Sequence, residues 1–125
     1  MTREEKQLLL KDLCARLPYG VIVDNPSPAG GAWDEVINID TSEKTVTLLH
    51  NGRVFSIDDV KPYLRPMSSM TDEEIDRMLE IYDSGPVAES SVAVTGYLYE
   101  RGLDCHHLIE KGLALEAPED MYKTE

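Results

Sequence analysis

The stretch SIDDVKPYLRPMSSMTDEE, residues 56–74, divides the chain into a front half with the grammar of strands and a back half with the grammar of helices. A helical turn at Asp58 to Lys61 is broken at Pro62, because the residue before a proline is pushed out of the helical region. Tyr63 and Leu64 then extend as a short strand that Pro66 ends. Met67 to Met70 crosses over. Thr71 stands three positions before Glu74 in a capping-box pattern, and Asp72, Glu73 and Glu74 fill a first turn where the helix dipole favours carboxylates.

Upstream of this stretch the segments are short and turn-rich. His50-Asn51-Gly52-Arg53 offers the two positive-φ residues of a type I′ turn, which predicts a tight hairpin between residues 45–50 and 53–57. WDEVINID, residues 33–40, alternates and places Trp33, Ile37 and Ile39 on one face. NPSPAGGA, residues 25–32, carries two prolines and two glycines and reads as a loop after the short β-branched run GVIVD. One long loop, two hairpins, a helical turn and a last short strand is the order of an SH3-like barrel, predicted over residues 19–66. At the start, Thr2 with Glu5 forms another capping box, Leu9, Leu10, Leu13, Cys14 and Leu17 follow at helical spacing, and Pro18 stops the helix.

Downstream, Ile75, Met78, Leu79 and Tyr82 recur at i, i+3, i+4 and i+7, an amphipathic helix ended by Asp83-Ser84-Gly85-Pro86. A third helix is predicted from about Ser90 or Ser91 to Gly102. A fourth, short one runs from Cys105 to Lys111 with Asp104 as its N-cap and Gly112 beyond its end. The tail from Leu113 reads as extended. The expected fold is a single α+β domain over residues 1–125: an N-terminal helix over 1–18, a small antiparallel SH3-like barrel, and three C-terminal helices in an acidic part over 67–125.

Composition bounds the function. At 42% hydrophobic and 29% charged residues, the chain is an ordinary globular domain long enough to build a core. No window is long and apolar enough to span a membrane, and the start MTREEKQ lacks the basic and apolar runs of a signal peptide. The net charge of −12 is uneven: residues 1–66 hold 8 Lys and Arg against 10 Asp and Glu, and residues 67–125 hold 4 against 14. A surface of that sign repels phosphates, which argues against non-specific nucleic-acid binding and for a protein partner, a basic one fitting best.

Candidate chemistry meets simpler readings at each point. Cys105-His106-His107 with Asp104 is the best metal or nucleophile candidate, but consecutive helical side chains point about 100° apart and spaced ligand partners are absent. Asp34/Glu35, Asp58/Asp59 and Asp72/Glu73/Glu74 read as strand edge, turn and helix start rather than as paired catalytic acids. Phosphate loops and hydrolase signatures are absent, so no cofactor and no metal are expected. Tyr19, Trp33, Tyr63 and Arg65 are the candidate binding residues, an aromatic and basic group of the kind that lines a peptide or nucleic-acid groove on SH3-like barrels.

Three blocks, LLLKDLCARLPYGV at 8–21, VKPYLRPMSSMTDEE at 60–74 and LIEKGLALEAPEDMY at 108–122, together resemble a family of small uncharacterised proteins encoded by Bacteroides-type gut bacteria and by their phages and prophages. That family has no established activity, cofactor or catalytic residues. The resemblance implies an intracellular, cytoplasmic accessory protein of a bacterium or its mobile elements. The expected role is a non-enzymatic interaction or adaptor module. The alternatives are a nucleic-acid-associated barrel, an acidic DNA-mimicking inhibitor of a basic protein, and a small enzyme with an unrecognised site.

Overall fold

The computed structural model describes residues 2–24, 33–50, 52–118 and 121. The predicted loop over 25–32, Asn51 of the predicted turn and the last few residues of the tail lie outside these. Helix α1 (Arg3–Arg16) starts as the sequence dictates. The Thr2 hydroxyl accepts from the Glu5 amide and the Glu5 carboxylate accepts from the Thr2 amide, at 3.1 and 2.8 Å. Leu9 and Leu13 point inward and are fully buried, each contributing about 1.5–3 kcal/mol of transfer free energy. Pro18 ends the helix in a 3-10 turn, and Gly20 at φ 99° redirects the chain.

Four strands follow as an antiparallel meander in the order β1 (Ile22–Val23), β2 (Asp34–Asp40), β3 (Thr45–Leu48) and β4 (Val54–Ser56). The expected face of β2 is corrected. Its register shifts between Val36 and Asn38, a bulge that interrupts the alternation, so Val36 and Ile39 turn inward while Trp33 and Ile37 stay half exposed. The tight two-residue hairpin is corrected too. Thr47 pairs with Val54 and the Leu48 amide donates to the Arg53 carbonyl, so the connection spans residues 49–52, with Gly52 at φ 64° as its last member. Beyond Leu48 the chain bonds to β2 instead: the Leu49 amide donates to the Glu35 carbonyl, and the His50 amide to the buried Asp34 carboxylate.

The sheet does not close into an SH3-like barrel. Among the described residues, the segment of β5 (Tyr63–Leu64) meets that of β1 in a single bridge, Val23 to Pro62, with the Asp24 amide donating to the Lys61 carbonyl. It pairs with the back half instead: the Leu115 and Ala117 amides donate to the Pro62 and Leu64 carbonyls, forming a parallel pair with β6 (Leu115–Glu116). On its opposite edge the Arg65 amide donates to the Gly102 carbonyl and the Asp104 amide to the Arg65 carbonyl. The curled open sheet, α1 and the C-terminal segment enclose one core of Leu9, Leu13, Val23, Val46, Leu48, Ile57, Leu64, Leu108 and their neighbours.

Among the described residues two C-terminal α-helices form, not three. Thr71 caps α2 (Asp72–Asp83) through the expected box. Helix α3 (Val87–Glu100) begins directly after Pro86, earlier than predicted, since that proline needs no amide partner at a helix start. It ends in a Schellman motif, with Gly102 at φ 72° and the Leu103 amide donating to the Leu98 carbonyl. The predicted fourth helix is replaced by turns at 105–106 and 108–112, interrupted at His107. His107 takes φ 58°, the Asp104 carboxylate accepts from the Leu108 and Ile109 amides at 2.8 and 3.0 Å, and Gly112 at φ 74° closes the turn at once. No helix of the described residues is long and apolar enough to cross a membrane.

Candidate functional site

The four candidate binding residues have different surroundings. Tyr19, half exposed, lines a shallow groove of about 410 Å³ with Ala15, Ser91, Val92, Thr95, Gly96 and Tyr99, between α1 and the outer side of α3. Trp33 is half exposed just before β2. Tyr63 sits half-buried in β5, its hydroxyl pKa raised by burial and by the Asp24 carboxylate. Arg65 serves as a clamp: its Nη1 and Nη2 donate to the two Glu74 oxygens at 2.8 and 2.7 Å, and Nη2 also donates to the Ser69 carbonyl at 3.0 Å. Arg101 Nε donates to the same carboxylate at 3.0 Å, with its guanidinium over the Tyr97 ring. The hydrogen bonds from Arg65 hold Glu74 down, from the usual 4.5 to about 2.

A second polar group lies inside the protein and was missed in the sequence. Asp12 and Arg16 are both buried and paired at 2.8 Å. Arg16 Nη2 also donates to the Leu103 carbonyl at 2.7 Å, and its guanidinium stacks over Tyr99 at 4.9 Å. His106 Nδ1 lies 2.8 Å from the other Asp12 oxygen. The signal was present: 9, 12, 13 and 16 share one helical face, so the stripe that buries Leu9 and Leu13 also buries Asp12 and Arg16. Burial pushes the Cys105 thiol up, which leaves it a poor nucleophile at neutral pH. The cluster ties α1 to the segment after α3. The Cys105-His106-His107 run is divided between it and solvent, and among the described residues no three His, Cys, Asp or Glu side chains gather as a metal site requires.

The third feature is the outer face of α2. The buried residue on this helix is Glu74, with Met78 and Ile81 half-buried, and α2 packs on α3. The apolar stripe read from the sequence is rotated off that face: Leu79 and Tyr82 keep half of their surface exposed and Ile75 more than a third. The rotation follows from the clamp, which draws position 74 rather than 75 toward the body. Asp72, Asp76, Glu80 and Asp83 are exposed on the same helix. The outer face of α2 thus carries an exposed apolar ridge with exposed carboxylates beside it.

Comparison with protein-family models, curated proteins and solved structures finds no match for this chain.

Proposed function

We propose that this chain is a non-enzymatic protein-docking module whose contact surface is the outer face of α2. One observation carries the reading. Ile75, Leu79 and Tyr82 form a continuous exposed ridge on a helix that is clamped to the body through Glu74 and so presents the ridge in a fixed orientation. Rigid presentation lowers the ordering cost of association, and an aromatic next to aliphatic anchors is the composition of an interface centre. The buried titratable groups are in keeping with this reading, since Asp12 is engaged by Arg16 and His106, Glu74 by Arg65 and Arg101, and Asp104 by backbone amides.

The test is affinity enrichment from a native extract with quantitative comparison of variants. A partner captured by the wild type should fall at least tenfold with Leu79→Glu and with Tyr82→Ala, both exposed positions whose change leaves the circular dichroism and melting temperature in place. The same partner should persist with Trp33→Ala and Tyr63→Ala. Loss with the Trp33 and Tyr63 variants alone would move the contact to the sheet and overturn the assignment.

A further inference from the structure

The charge around the α2 ridge is one-sided, and this defines the partner. Successive helical residues advance by about 100°, so with Ile75 at zero, Tyr82 lies at about −20° and Leu79 at about +40°. Glu74, Met78 and Ile81 fall at about −60° to −120°, the side turned to α3 and the clamp. Asp72, Asp83, Asp76 and Glu80 all fall between about +60° and +140°. The lone cation of the helix, Arg77, is engaged with Glu80 at 3.1 Å. An apolar ridge two turns long therefore has the body along one side and a row of carboxylates along the other.

Resting on the docking role of α2, we infer that the occupant is a basic amphipathic helix of a partner protein, its apolar stripe on Ile75, Leu79 and Tyr82 and its Lys or Arg row along Asp76, Glu80 and Asp83. The geometry selects a helix because α2 offers side chains and no free backbone edge for strand addition, and because a two-turn ridge matches the groove of another helix. A second copy of this chain is disfavoured, since each copy carries −12 and a symmetric pair would set the same acidic row against itself. Nucleic acid is disfavoured by the same sign.

A displayed library of helical peptides, with apolar residues fixed at i, i+4 and i+7 and all other positions random, tests this directly against the full chain. Enriched sequences should carry Lys or Arg along one flank. Their binding by fluorescence anisotropy should weaken at least tenfold between 50 and 300 mM salt, and by a similar factor in the Asp76→Asn, Glu80→Gln, Asp83→Asn variant. Leu79→Glu should abolish it. Peptides that depend on Leu79 but show neither basic enrichment nor salt dependence would overturn the charge inference and leave docking by α2 standing. Binding indifferent to Leu79→Glu, or no enrichment, would overturn both. A Leu79-dependent dimer in sedimentation would assign the ridge to a second copy and overturn the helix partner.

Discussion

Glu74 accepts three hydrogen bonds from guanidinium groups and one from the Thr71 amide. Its pKa in the folded state is about 2, below the usual 4.5 of an unfolded chain. The stabilisation is therefore complete above pH 4.5, declines as pH falls from there, and is gone below 2, with a total on the order of 3 kcal/mol. Urea unfolding of the wild type at pH 6, 4 and 2.5 should show that decline, and Glu74→Gln should lose most of it at pH 6 and flatten the dependence. Parallel pH curves for the two proteins would contradict the clamp. At Asp12 the expectation differs in kind. Asp12→Ala strands a buried guanidinium and should cost about 3–5 kcal/mol, whereas Asp12→Ala with Arg16→Met removes both charges and should recover a large part of the loss. A double variant no better than the single one would mean that Arg16 acts through its bond to Leu103 or its contact with Tyr99 rather than through the pair.

Among the elements, α3 carries two glycines with opposite demands. Gly102 sits past its end at φ 72°, so Gly102→Ala should destabilise by about 1 kcal/mol. Gly96 lies inside the helix, where an added Cβ would meet the Tyr19 hydroxyl at 3.3 Å. That hydroxyl ends a half-exposed side chain that can yield, so Gly96→Ala should stabilise by about 0.5–1 kcal/mol through helix propensity. Thermal melts decide both signs. The same scale shows what the sequence could reveal. Both capping boxes, the stop at Pro18, the acidic start of α2 and the curled antiparallel order of strands were legible because each rests on chemistry within a few residues. The bulge after Val36, the open sheet and the rotated stripe of α2 were not. Each depends on a partner in another element: the shifted pairing with β3, the capture of β5 by β6, and the hold of Arg65 on Glu74. The Cys105-to-Lys111 helix failed for a smaller reason, since Asp104 caps amides four and five residues on and leaves His107 in the left-handed region.

For the whole molecule, the main core cluster among the described residues is built from α1, the sheet, β5 and the segment around Leu108 to Ala114, while Leu98 of α3 is buried apart from that cluster. The helical pair is fixed to it by the Arg65, Glu74 and Arg101 network, by Leu98 and Leu103, and by the contact of Arg16 with Tyr99. Native-state hydrogen exchange should find amides of α2 opening at lower free energy than those of β2 and β3, and Arg65→Met should lower α2 further without moving the strands. Uniform protection across α2 and sheet would show that the two open as one unit. The pairing of β5 with β6 has another consequence, in the order of synthesis. Tyr63 leaves the ribosome roughly fifty residues before Leu115, its parallel neighbour. At about 5–20 residues per second, the nascent chain holds an unfilled strand edge and an incomplete core for about 3–10 seconds, until Leu113, Ala114 and Leu115 emerge to close both.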